Sequence, residues 1–239
     1  ISANTDGVTF GGTPDQVKRA KDFIDMYGWL TNFEFEYAHY RSISMKDCNN
    51  YIAVKTDGKI KAKGLYADSG LQKNPTNEVC SIAAAEYLGN ATPIKETILK
   101  HFNLEHFTDF LQARNVKGGA VEFKNFVEVD DWVECEPGQW VRPCWTDKRP
   151  IERKSRPKPV LVGIDPTHLG RVARWYYSTD PAYQHGLRYA ENGNLVPKST
   201  GGRSCMTLPF EMPSDVDVQR YIDEAISHLN DMGVYDVKA

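Results

Sequence analysis

At 239 residues, with 41% hydrophobic and 26% charged side chains, the chain has the make-up of a globular protein large enough for one big domain or two small ones. No apolar run approaches the length of a membrane span, so neither a membrane partner nor a secretory signal is expected. The net charge of -3 argues against a uniformly basic nucleic-acid binder, but it hides a local excess. Arg142, Lys148, Arg149, Arg153, Lys154, Arg156, Lys158, Arg171 and Arg174 stand against only Asp147, Glu152 and Asp165 in the same stretch. The 5 cysteines form no CxxC pair and are an odd set, which points to reduced thiols rather than a disulfide framework. His101 and His106, read as lying on one helix, fall on different faces, so the histidines lack metal-ligand spacing and zinc is not expected.

The chain opens on Ile1-Ser2-Ala3-Asn4-Thr5-Asp6-Gly7-Val8, an acidic tight turn between short apolar runs. Asn4 and Gly7 suit a two-residue hairpin whose tip is Thr5-Asp6, a place from which a carboxylate can reach a metal. The same six residues also fit an ordinary surface hairpin. Thr13-Pro14-Asp15-Gln16 is a helix start with a threonine cap, proline at the first position and glutamine three beyond the cap. That helix is expected to run to about Tyr27 and to bury Val17, Phe23, Ile24 and Tyr27. Phe33, Phe35 and Tyr37 alternate with Glu34 and Glu36 at the period of a half-buried strand. Strands over 50–55 and 59–65 are joined by Thr56-Asp57-Gly58.

Beyond the loop 68–76 the period turns helical. Asn77 reads as the cap of a helix ended by Gly89, Thr92-Pro93 starts another, and a third is expected over 104–111. Lys117-Gly118-Gly119-Ala120 reads as a turn, and the Trp/Pro-rich stretch 132–159 as mostly loop, its tryptophans Trp132, Trp140 and Trp145 serving in packing. A strand is expected over 172–177, with Arg174 and Tyr176 on one face and Trp175 and Tyr177 on the other: an aromatic core beneath a basic surface. Asn192-Gly193 closes a hairpin, and Ser214 caps a last helix over 215–231 with Gly233 just past its end.

Taken in order, SANTDGV (2–8), KDCNNYIAV (46–54) with KIKAKGLY (59–66), NEVCSIAAAEYL (77–88), NVKGGAV (115–121), GRVARWYYS (170–178), NGNLVPKSTGGRSCMTLP (192–209) and PSDVDVQRYIDEA (213–225) resemble the end of the palm and the thumb of a family B DNA polymerase of tailed bacteriophages. The resemblance covers essentially the full chain. It implies an α+β fold, with a carboxy-terminal palm hairpin and antiparallel sheet over 1–66, then a mainly helical thumb with additional strands over 67–239 that carries the basic Trp/Pro-rich insertion. It implies DNA-directed DNA polymerase activity dependent on Mg2+, with primer-template DNA and deoxynucleoside triphosphates as partners, in the cytoplasm of an infected bacterial host.

In that family the second aspartate of an Asp-Thr-Asp-type hairpin binds magnesium, a role that falls on Asp6. Asn4 stands where the commoner pattern has the first aspartate, and is read as shaping the turn rather than holding metal. Two-ion phosphoryl transfer separates its ions by roughly 4 Å and needs more than one carboxylate. The resemblance thus implies a truncated fragment or split-gene product, with the other metal aspartate and the nucleotide-binding lysine supplied from upstream, and no polymerisation by this chain alone.

The resemblance places Lys46, Asn49, Asn50 and Tyr51 along the primer terminus, the asparagines standing where the family has basic residues and able to donate to sugar-phosphate oxygens. Lys61, Lys63 and Gly64 correspond to a basic Lys-Gly strand, with Lys63 the nearer match to a phosphate contact. Equally, Lys59, Lys61 and Lys63 fit the solvated face of an edge strand. Lys117 and Gly118 resemble a thumb turn that approaches the duplex, or a plain hairpin, and Arg171 and Arg174 a basic duplex-facing strand. Such a grip is sequence-independent and weakens steeply with salt. The competing reading is a noncatalytic DNA-binding or partner-docking module. A nuclease is less well supported, since Asp25, Asp47 and Asp57 have no motif tying them to Asp6.

Overall fold

A computed structural model describes residues 2–4, 7–68, 74–129, 133–142, 151–153 and 160–237. The fold is α+β with antiparallel sheets, and the chain forms two compact units, one from residues 1–111 and 218–239 and the other from 112–217. This division does not follow the expected boundary at 66/67.

In the first unit, β1 (Ser2–Asn4) pairs antiparallel with β2 (Gly7–Thr9), Asn4 opposite Gly7. The two residues that link them, Thr5 and Asp6, lie outside the described residues. Helix α1 (Pro14–Thr31) begins as its sequence dictates: the Thr13 hydroxyl accepts the Gln16 N–H at 3.4 Å, and the Gln16 side chain accepts the Thr13 N–H at 2.9 Å. The helix runs a turn beyond Tyr27 and is stopped by Asn32 in the left-handed region, φ +56°, whose N–H donates to the Gly28 carbonyl.

That reversal explains why the aromatic alternation of 33–37 is not a strand. The segment folds back along α1, setting Phe35 6.4 Å from Tyr27 and letting the Tyr37 hydroxyl donate to Asp25 at 2.7 Å, with the Lys21 ammonium 5.0 Å over the Tyr37 ring. The Asp25 carboxylate raises Tyr37 to about 12. Within the helix only Gly28 is buried, and Phe23 (63% exposed) and Tyr27 stay open where burial was expected. Phe23, Met26, Tyr27 and Leu30 thus form an exposed apolar stripe at helical spacing.

Strands β3 (Tyr40–Asp47), β4 (Asn50–Lys55) and β5 (Ile60–Lys63) form one antiparallel sheet with β4 central. Helix α2 (Glu78–Asn90) packs against it, Gly89 meeting the Ile60 side chain, and α3 (Ile94–His101) packs on α2. Asn77 does not cap α2 through its side chain. It sits at φ +55° and its carboxamide donates to Glu224 of the last helix, α4 (Val218–Asp231), at 3.1 Å. The helix expected over 104–111 is only a 3-10 turn, Phe107–Phe110. The core joins Ile52 and Val54 to Val79, Ala83, Ile94, Ile98, Phe107 and Phe110, and closes with Tyr221, Ile222, Ala225 and Leu229 of α4. The Tyr221 hydroxyl donates to the Phe110 carbonyl at 2.7 Å.

The second unit is built on strands rather than the helices expected beyond residue 66. Its main sheet has the order β13 (Arg188–Tyr189), β6 (Gln112–Glu122), β12 (Thr167–Tyr177), β14 (Gly202–Ser204). A second pairs β7 (Asn125–Val129) with β11 (Val160–Ile164), and a third joins β8 (Val133–Glu136), β9 (Gln139–Arg142) and β10 (Ile151–Arg153) inside the stretch expected to be loop. Trp132 and Trp145 lie outside the described residues.

Trp175 and Tyr177 are buried as expected, and Tyr176 is buried as well. The Asn192-Gly193 turn is present, Gly193 donating to the Tyr189 carbonyl at 2.9 Å. Helix α4 starts at Val218 rather than 215 because the preceding backbone is drawn into β-type pairing. Thr179 donates to the Asp215 carbonyl at 2.7 Å and Asp217 to the Tyr177 carbonyl at 2.9 Å.

Candidate nucleic-acid interface

The register of the first-unit sheet brings together three of the residues singled out from sequence. Asp57-Gly58 forms the expected turn, with Gly58 at φ +85° and the Asp57 carboxylate accepting the Lys59 N–H at 3.0 Å. That turn sets Lys63 directly opposite Tyr51 and Lys61 opposite Ala53. Cross-strand partners share a face, so Tyr51, Lys61 and Lys63 line one side of the sheet, while Ile52, Val54, Ile60 and Ala62 line the other. Both lysines are exposed and Tyr51 is half-buried.

Gly64 follows in the left-handed region at φ +68°, where an added Cβ would collide with the Asn49 carbonyl and the Asn50 side-chain oxygen. The adjoining hairpin is locked from within. Asp47 Oδ1 accepts the N–H of Asn49 at 2.8 Å and of Asn50 at 3.0 Å, and the Asn50 carboxamide donates to Asp47 Oδ1 at 2.9 Å and Oδ2 at 2.8 Å. These bonds, the Asn50 side chain foremost, hold the Asp47 carboxyl below its usual range. Asn50 Oδ1 accepts the Leu65 N–H at 2.8 Å.

The Asn50 side chain is therefore committed to tying the 47–50 turn to Gly64-Leu65 instead of reaching for a phosphate. Asn49 remains exposed at the same turn. Lys46 pairs with Asp231 of α4 at 2.6 Å, and that carboxylate raises the lysine above its usual value. Asp6, the expected magnesium ligand, falls outside the described residues.

In the second unit, Lys117, Gly118 and Gly119 are not a terminal turn but a bulge within β6. Gly170 of β12 stands opposite Ala120 and Val172 opposite Asn115, so on β12 the single residue Arg171 spans the stretch 116–119 of β6. Gly118 (φ +79°), Gly119 (φ +92°) and Gly170 (φ +76°) absorb the distortion. Lys117 and Arg171 are both exposed at this bulge, and Arg174 is exposed farther along β12. Of the basic stretch 142–174, these two arginines are the basic side chains the structure describes.

Two clusters had no motif to announce them. Asp215 accepts the Tyr176 hydroxyl at 2.9 Å, the Ser178 hydroxyl at 2.5 Å and Arg203 at 2.8 Å, and the guanidinium lies 5.2 Å from the Tyr183 ring centre. Burial alone would push Asp215 up, but the bonds from Ser178, Arg203 and Tyr176 outweigh it and hold the carboxyl below its usual range. Burial and the bond to Asp215 raise Tyr176. The network borders a concavity of about 440 Å³ lined also by Met206, Thr207, Glu211 and Met212.

The second cluster corrects the reading of the histidines. α3 ends at His101, the chain turns through Asn103, and His106 returns beside it, so the pair never shares a helix. Both Nδ1 atoms approach Asp109 Oδ2, His101 at 3.1 Å and His106 at 3.4 Å, and the two rings lie 4.5 Å apart.

Among the described residues, no helix is long and apolar enough to cross a membrane. The chain matches no protein-family model, no curated protein and no solved structure.

Proposed function

We propose that this chain is the carboxy-terminal part of a family B-type DNA-directed DNA polymerase, gripping primer-template DNA in a magnesium-dependent enzyme of a bacterial virus. The reading extends to nucleotidyl transfer from deoxynucleoside triphosphates, performed in the host cytoplasm. The observation that carries it is the shared face of Tyr51, Lys61 and Lys63, followed by a Gly64 whose site excludes any side chain. Two cations and an aromatic ring on a rigid strand pair suit a sugar-phosphate backbone, which is bound by charge and needs no base-specific partner. The bulge carrying Lys117, Gly118 and Arg171, with Arg174 beyond it, offers a second set of cations of the same kind.

Asp6 would hold magnesium, whose chemistry is to neutralise the triphosphate and activate the primer hydroxyl. A single carboxylate does not make a two-ion centre. The proposal therefore assigns the remaining ligand to protein outside these 239 residues. A noncatalytic docking module is the second reading, and the exposed stripe of Phe23, Met26, Tyr27 and Leu30 favours it as a surface for a partner.

The deciding experiment is an equilibrium titration of the chain with primer-template DNA across salt concentrations. Binding that weakens steeply with salt supports the reading, and affinity that is absent or indifferent to salt overturns it. In an enzyme completed with the rest of the polymerase, Asp6→Ala should abolish primer extension and leave DNA binding nearly intact. Unchanged extension would leave only the docking module.

A further inference from the structure

We propose that His101, His106 and Asp109 form a binding site for a tetrahedral divalent transition metal, zinc by its donor set. The metal would clip the end of α3 to the turn that carries Phe107 and Phe110. With metal–ligand bonds of about 2.0–2.1 Å, neighbouring donors of a tetrahedral site stand roughly 3.3 Å apart. The Asp109 Oδ2 distances of 3.1 Å to His101 Nδ1 and 3.4 Å to His106 Nδ1 bracket that edge, and one ligand atom from each of the three residues lies within 4.8 Å of the others.

The Asn103 side chain donates to the Lys100 carbonyl at 3.0 Å and accepts the His106 N–H at 3.1 Å, which fixes the path between the two histidines. On the other side, Phe107 and Phe110 are 1% and 0% exposed and flank Asp109 in the core. The donors thus stand on backbone held from both ends, as a metal site requires.

Two imidazole nitrogens and one carboxylate oxygen suit zinc, cobalt or nickel and not magnesium, whose sites are built from oxygen. The site is thus distinct from the magnesium role given to Asp6. His101 and Asp109 side chains are each 18% exposed, whereas His106 is 43% exposed, so the open side admits water as the fourth ligand.

The test uses the full chain, stripped of metal by a chelator and titrated with Zn2+ against a chromophoric competitor, then with Co2+ while visible absorption is read. The expected result is one tight equivalent and an intense tetrahedral cobalt spectrum. His101→Gln and Asp109→Asn should weaken uptake by more than about 100-fold, Asn103→Ala by about 10-fold, and His39→Gln not at all. If circular dichroism shows His101→Gln unfolded, the more exposed His106→Gln replaces it. The proposal is overturned by wild-type chain with no tight equivalent, by a weak octahedral cobalt spectrum, or by folded ligand variants that bind as the wild type does.

Discussion

Lys46 and Asp231, far apart in sequence, meet at 2.6 Å and tie β3 to α4. The pairing occupies the cation that the resemblance to polymerases places at the primer terminus. Asp231→Asn is expected to release Lys46 and tighten DNA binding at low salt. Lys46→Ala should cost less affinity than Lys63→Ala, whose ammonium is exposed on the Tyr51 face. Anisotropy titrations of the three variants against wild type check the order.

Lys61 and Lys63 should each contribute to the salt dependence itself. Removing one phosphate contact lowers the slope of log affinity against log salt by about 0.9, whatever the DNA sequence. Lys61→Ala and Lys63→Ala measured on two unrelated duplexes test this. A slope equal to that of wild type would remove these lysines from the interface.

Gly64→Ala is expected to destabilise the chain by about 1–3 kcal/mol, because the left-handed backbone and the adjacent Asn49 and Asn50 oxygens leave no room for a methyl group. Asn50→Ala should destabilise as well, since it removes the side chain that ties the Asp47 carboxylate to the Leu65 N–H. Urea unfolding followed by tryptophan fluorescence and circular dichroism reads both.

Asp215 gives the second unit an acid-sensitive lock. Its folded carboxyl lies below its ordinary value of 3.8, so the stabilisation is present above that value and is lost as pH falls through the folded value. Asp215→Asn should lower stability near neutrality by about 1–3 kcal/mol and flatten this acid dependence. Stability curves from pH 2 to 6 for both proteins decide it; parallel curves would count against the network.

Local chemistry made part of this architecture legible. The Thr13 cap, the Asp57-Gly58 turn and the Asn192-Gly193 turn all use short-range bonds among neighbouring residues, and the structure contains each. The failures share a different cause. Phe33, Phe35 and Tyr37 alternate as a strand would, but Asn32 reverses the chain and lays them on α1, a tertiary choice without a period of its own.

Lys117-Gly118-Gly119 carries the residues of a turn because a bulge also demands positive φ, and only the β12 partner distinguishes the two. Asn77 looks like a cap, yet Glu224 claims its amide from the other end of the chain. The His101, His106 and Asp109 cluster was hidden because α3 stops without glycine or proline, so a helical wheel separated residues that the turn through Asn103 unites.

Because α4 supplies Tyr221, Ile222, Ala225 and Leu229 to a core that also holds Ile52, the residues made before 112 must wait for those made after 217. During synthesis on a ribosome the continuous stretch 112–217 can finish first, while the segment before it is held half-built. A premature stop just after residue 217 would ruin the unit begun by 1–111 and spare the one formed by 112–217.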